Sequence, residues 1–204
     1  MKRFDIINRF IQERGYKNYL EIGVYTGQCI REIVADNKTG VDPGSEGGVA
    51  AEVTHKMTSD EFFESIKDTD IKYDIVFIDG LHHSYQVDAD IENALNHLID
   101  GGVIVLHDCN PEKEEYTSIP RVTGIWHGDV YRSVLRLRAK GVHTIFTVDT
   151  DCGCGVIFKD GKISSDVSAE ECKKALYSWD YFSENRERLL NLISVEQFNK
   201  TQYK

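Results

Sequence analysis

The chain has 204 residues, 41% apolar and 28% charged, and 24 Lys+Arg against 34 Asp+Glu leave a formal net charge of −10. At roughly 150 residues per domain this length predicts one domain, residues 1–204, with enough core to fold without staples. That excludes general disorder, 16 Gly with 3 Pro exclude a collagen-like chain, and the acidic balance argues against nucleic acid as a partner.

In chain order, residues 4–13 place Ile6, Ile7, Phe10 and Ile11 on one helical face, with Gly15 as a stop. Residues 19–24 read as a short buried strand that runs through a Gly-containing turn into a helix over 28–35. A second strand, 39–42, ends in Asp42 and Pro43, and a polar Gly-rich stretch follows over 44–48. Residues 53–57 predict a weak third strand, and 60–67 a helix with Phe62, Phe63 and Ile66 inward. The clearest strand is 74–79. A helix over 85–99 follows, ended by Gly101-Gly102, and a further strand over 103–106 leads to His107-Asp108. Such continuous apolar runs suit strands buried on both faces, as in a parallel sheet between helices. Residues 109–128 hold two of the three prolines and predict a long loop. A helix over 129–140 stops at Gly141, and 143–150 with 155–159 predict an antiparallel pair. Capping boxes at Ser168…Glu171 and Ser194…Gln197 open helices in the tail, with a Leu-rich helix over 181–193 between them. C-terminal helices are thus expected over 165–204. The expected fold is α/β: a doubly wound, Rossmann-like sheet of seven strands, mostly parallel with a C-terminal antiparallel hairpin.

No run of 18 apolar residues exists and no apolar stretch follows the basic start, so neither a membrane span nor a secretory signal is predicted. Cys29, Cys109, Cys152, Cys154 and Cys172 have no framework spacing and fit reduced thiols in a cytoplasmic protein. Cys152-Gly153-Cys154 lacks the second pair that a zinc site requires and reads as structural.

Ligands of open parallel sheets sit beyond the carboxyl ends of the strands, so strand-end residues carry the functional weight. The first end, Glu21 to Gly27, has glycines four apart, which let the backbone pass close beneath a ligand. With Tyr25 where a second close glycine would stand, it lacks the G-x-G-x-x-G spacing of a pyrophosphate loop. Asp42, some twenty residues on, can accept both hydroxyls of a ribose, and the two features together favour a nucleoside-containing ligand. The segment 77–85 brings Asp79, His82, His83 and Tyr85 off the sheet together, and His107-Asp108 repeats the pattern on the next strand. A buried carboxylate needs a cleft, a metal or a cation, and an imidazole is suited to general-base work. Asp79 and Asp108 on neighbouring strand ends could share a divalent ion.

Three motifs, residues 20–27, 77–85 and 101–108, resemble those of class I S-adenosylmethionine-dependent methyltransferases, in the family called methyltransferase domain 24. The stretches 126–130, 148–151 and 185–194 resemble relatives too, so the likeness runs over roughly residues 15 to 200. The resemblance implies that Glu21, Gly23, Tyr25 and Gly27 line the cofactor, that Asp42 binds its ribose and that Thr58 or Ser59 approaches its adenine. It places Asp79 near the sulfonium, where a carboxylate compensates positive charge. Some relatives use a divalent metal such as Mg2+ on oxygen ligands at these strand ends; here Asp79 and Asp108 match, with His107 or Asn110 as the third ligand. Catechol-type relatives carry an amide directly after the second carboxylate, where this chain has Cys109. The implied reaction is methyl transfer to a hydroxyl of a small acceptor, such as a sugar or glycan precursor, with His82, His83 or His107, or a metal at Asp79 and Asp108, activating the hydroxyl. An NAD-dependent oxidoreductase and a non-catalytic nucleoside-binding subunit are the competing readings. The loop 109–128 and the C-terminal helices are candidates for the acceptor pocket, and a homo-oligomer is a further expectation.

Overall fold

The computed structural model describes residues 1–45, 49–160 and 166–203, so of the Gly-rich stretch 44–48 residues 46–48 lie outside it, as do 165 and 204 of the tail. Helix α1 (Arg3–Arg14) buries the predicted face of Ile6, Ile7, Phe10 and Ile11, and Gly15 ends it at φ 67°. Strands β1 (Asn18–Ile22) and β2 (Asn37–Val41) follow as expected. Between them, residues 28–35 form turns rather than the predicted helix. The Lys38 ammonium donates to the carbonyls of Ile30 and Ile33, the first of which a helix would have used for its own backbone. Nor do residues 53–57 form a strand: they touch β2 by a single bridge, Val41 to His55. The Thr54 hydroxyl both donates to the Gly40 carbonyl and accepts from its N–H, replacing a ladder.

Helix α2 (Ser59–Ile66), strand β3 (Tyr73–Ile78) and helix α3 (Ser84–Asn96) agree with expectation, except that α3 stops three residues early. Leu98 already pairs with Tyr73, so Gly101-Gly102 lies inside strand β4 (Leu98–Leu106), where the register shifts, instead of ending a helix. After the loop and helix α4 (Tyr131–Lys140), β5 (Thr144–Val148) and β6 (Cys154–Phe158) form the predicted antiparallel pair. Both tail capping boxes are made, at α5 (Ala169–Tyr177) and α7 (Val195–Lys200). Helix α6 (Trp179–Leu189) is shorter than predicted. Asn191, at φ 47°, turns the chain so that Leu192–Ile193 forms β7, parallel to β5.

The sheet order is β2-β1-β3-β4-β6-β5-β7, parallel from β2 to β4 with antiparallel pairs around β6. The expected mixed seven-stranded architecture is therefore present, with Leu192–Ile193 in place of 53–57 as one of the seven. Apolar residues cover both faces: Phe62, Ile91, Val134 and Phe182 on one, Phe10, Phe77, Phe146 and Phe198 on the other. The chain runs from β1 outward to β2, then returns to β3 on the opposite side. That reversal opens a crevice beyond the ends of β1 and β3, the position at which doubly wound sheets hold ligands.

Candidate active site

A cavity of about 420 Å³ occupies this crevice. Its first wall is the turn after β1. Gly23, at φ 89°, is required there because a Cβ would lie 2.2 Å from the Asp79 carbonyl, so only glycine lets the two strand ends meet. Glu21 lies beneath the turn, 1% exposed, and accepts from the Tyr19 hydroxyl. Burial pushes its carboxyl up from 4.5 to about 7.

Asp79, His107 and Asp108 come from the ends of β3 and β4. Asp108 stands at φ 57°, and Tyr25 and Cys152 also stand at positive φ, so three of the five non-glycine residues in this conformation among the described ones line the cavity, and a fourth, Asp151, adjoins Cys152. Such strained backbone is held where the surrounding structure fixes it, commonly at functional sites. His107 Nδ1 lies 3.2 Å from Asp79 Oδ1 and 3.1 Å from Asp108 Oδ2, and His82 approaches the same two carboxylates at 3.4 and 3.3 Å. Burial alone would lower both imidazoles, but Asp79 and its neighbouring carboxylates outweigh it and raise them. Reciprocally, His107 and His82 overcome burial and hold Asp79 well below the usual carboxylate range. His127 lies 3.8 Å from Asp108 Oδ1, and there burial wins and lowers the imidazole.

The remaining walls come from segments distant in sequence. Arg121, Ile125, Trp126 and His127 belong to the loop 109–128, and Trp126 stacks on His82 with centroids 5.1 Å apart. Gly128, at φ 59°, packs where a Cβ would lie 1.8 Å from the His82 carbonyl, and Asp129 accepts from the backbone and hydroxyl of Ser84 at 2.6 and 2.8 Å. The segment after Trp126 thus fixes His82 from behind. Arg3 of α1 donates to Asp79 at 2.8 Å and to Asp151 at 2.9 Å.

Of the residues singled out in the sequence, Glu21, Gly23, Tyr25, Asp79, His82, His107 and Asp108 line the cavity together. Gly27, Asp42, Thr58, Ser59 and His83 do not. Asp42 accepts from the backbone N–H of Tyr25 at 2.7 Å and of Gly44 at 2.6 Å, so it shapes the turn. Thr58 caps α2 and Ser59 accepts from Gln86, while His83 stands at the N-cap position of α3 without a side-chain capping bond and packs against Tyr85 and Trp126. Asn110 does not line the cavity: its Nδ2 donates to Asp149 at 3.0 Å, while its Oδ1 is buried without a hydrogen-bond partner among the described residues. The C-terminal helices, expected near the acceptor, contribute no lining residue. Cys152, expected to be merely structural, lines the cavity, whereas Cys154 is buried. Sequence reasoning missed Arg3, His127 and Asp151. The stretches 126–130 and 148–151 contain the last two, and were the available signal.

Residues 20–109 match the model of the methyltransferase domain family. Among curated proteins, none matches the chain. Among solved structures, the O-methyltransferase from Bacillus cereus in complex with SAH superposes with a TM-score of 0.57, at 16% identity over 76% of this chain and 80% of that one. The O-methyltransferase TomG from Streptomyces achromogenes, in complex with SAM, gives 0.56, at 18% identity over 78% and 80%. The fold is that of the class I methyltransferases. The span matched by the family model, residues 20–109, includes all three motifs that carry the resemblance.

Proposed function

We propose that this chain transfers a methyl group from S-adenosylmethionine to a hydroxyl of a small acceptor. The observation that carries this reading is the cavity itself: a glycine turn, a buried acid at each of two strand ends and a cluster of imidazoles at the switch point of a methyltransferase fold. When bound, the cofactor supplies a methyl carbon made electrophilic by its sulfonium. Asp79 answers that positive charge, and Asp42 holds the Tyr25 turn against which the ribose lies. Trp126, stacked on His82, offers a flat apolar surface for the acceptor. A sugar ring, apolar on its C–H face and hydroxylated at its edge, matches this combination of aromatic wall and carboxylates.

The cluster also fits a divalent cation. His82 Nδ1 and both nitrogens of His107 are buried without hydrogen-bond geometry to any partner, although they face Asp79 and Asp108. Donor atoms of Asp79, His82 and Asp108 lie within 4.8 Å of one another. These residues would hold the ion, which would lower the pKa of an acceptor hydroxyl; His107 groups instead with Asp108 and Cys152. The imidazole in the set favours an ion such as Zn2+ over the Mg2+ expected from the resemblance. With His82 so engaged and His107 between Asp79 and Asp108, His127 is the imidazole left to accept the hydroxyl proton: it lines the cavity, and among the described residues neither ring nitrogen has a hydrogen-bond partner, Asp108 Oδ1 lying 3.8 Å away.

Calorimetric titration tests the reading. S-adenosylmethionine should bind at micromolar concentration and NAD should not, and methyl transfer to hydroxylated acceptors should stop with a chelator and in Asp108→Ala. Absence of cofactor binding removes the reading; chelator-insensitive turnover in Asp108→Ala removes the metal alone.

A further inference from the structure

The cavity contains more acid than a sulfonium requires, and it also contains a guanidinium that the reaction does not use. The amino-acid end of the proposed cofactor is a zwitterion, so its ammonium suits the carboxylates but its own carboxylate needs a cation. Two cationic side chains line the cavity, Arg3 and Arg121. Arg121 lies on the loop, where its guanidinium donates to the carbonyls of Thr123 and Gly124 and sits 6.0 Å over Trp126. Arg3 is placed differently. Its Nε donates to Asp151 Oδ2 at 2.9 Å, its backbone N–H to the same oxygen at 3.0 Å, and its Nη1 to Asp79 Oδ2 at 2.8 Å. Asp151 is itself displayed by a turn with three successive positive φ values, at Asp151, Cys152 and Gly153. The guanidinium is therefore held rigidly beside the cofactor wall, with three of its five N–H groups unpartnered among the described residues.

We propose that Arg3 binds the methionine carboxylate of the cofactor, with Asp151 as the residue that positions it. This rests on the methyltransferase reading above. A planar guanidinium fork matches a carboxylate with two parallel bonds, and an anchored one loses little freedom in making them. Asp79 then divides its two oxygens: Oδ2 faces Arg3 and the cofactor, while Oδ1 faces His82 and His107. The cofactor's amino-acid end is recognised by a residue of α1, outside the sheet that binds its nucleoside.

Calorimetry with three ligands tests this. S-adenosylhomocysteine has the amino-acid carboxylate, its decarboxylated analogue lacks only that group, and 5′-methylthioadenosine lacks the whole amino-acid end. The native chain should bind the decarboxylated analogue about 10- to 100-fold more weakly than S-adenosylhomocysteine, the range that charge-assisted bonds confer. Arg3→Gln should lose a similar factor for S-adenosylhomocysteine, no longer distinguish it from the decarboxylated analogue, and bind 5′-methylthioadenosine as the native chain does. Equal affinity of the native chain for the first two ligands overturns the proposal without needing any variant. So does an equal loss for S-adenosylhomocysteine and 5′-methylthioadenosine in Arg3→Gln, which marks a structural role. A native chain that binds none of the three removes the methyltransferase reading, and this proposal with it.

Discussion

At the scale of single residues, the buried acids of the cavity behave in opposite ways. Asp79 is kept ionised by two imidazoles and Arg3, whereas Glu21, with a tyrosine hydroxyl for company, is pushed up to about 7. A carboxyl raised in the folded state contributes stability that is fully present below its unfolded value near 4.5 and is lost as pH climbs through about 7. The native chain should therefore lose up to about 3 kcal/mol relative to Glu21→Gln between pH 5 and pH 8, measured by denaturant unfolding at each pH. A constant difference would mean that Glu21 is not the titrating group. The acids and histidines at strand ends were legible in the sequence because a parallel strand that ends in Asp or His has little else to do with it. Arg3 and Asp151 were not: the contact joins residues 148 apart, and each alone looks like an ordinary surface charge on a helix or a turn.

At the scale of elements, the segment 127–130 holds His82 in place. Gly128 rests against the His82 carbonyl, the Asp129 N–H donates to that carbonyl at 3.1 Å, and the Asp129 carboxylate caps α3. Gly128→Ala would combine an unfavourable positive φ with a backbone clash, so it should cost at least about 2 kcal/mol of stability and weaken transition-metal binding by displacing His82. Calorimetry with Zn2+ on the folded variant checks the second effect; undiminished affinity would separate the loop from the metal donors. The same balance between local pattern and remote partner explains which elements could be read. Helix α1 has its own apolar face and its own glycine stop, and emerged nearly as expected. Residues 28–35 have a helix-like pattern as well, but Lys38, reaching from the next strand, takes two of their carbonyls. The two-residue strand Leu192–Ile193 is too short for any periodicity and exists because β5 offers it an edge.

At the scale of the whole molecule, the two ends of the chain pack together on the face of the sheet that carries α1. Phe10 meets Phe158, Phe198 and Tyr203 at 5.2 to 5.9 Å, and Arg9 lies 4.6 Å over Phe198 while donating to its carbonyl at 2.5 Å. Since α1 also carries Arg3, this cluster is mechanically connected to the cavity. Phe198→Ala should cost about 3–5 kcal/mol and also reduce affinity for S-adenosylhomocysteine, whereas Phe182→Ala on the opposite face should cost similar stability and leave affinity unchanged. Thermal melts and calorimetry on the pair decide it; equal effects on affinity would uncouple α1 from the site. The loop 109–128 is attached in a different manner. Its first residues are fastened to the β5–β6 turn, Cys109 to Gly153 and Asn110 to Cys152, and its last, Gly128, packs against His82, to which the next residue, Asp129, donates. Both fastenings are part of the cavity, while the chain between them carries Ile119, Val122 and Ile125 exposed to solvent. Between those ends the loop braces its own cavity residues, the Trp126 indole donating to the Ser118 carbonyl at 2.7 Å and the His127 N–H to the Tyr116 carbonyl at 2.9 Å. A change of sequence within 112–125 therefore reaches the loop's side of the cavity through Trp126 and His127, while the strand ends beneath are left as they are.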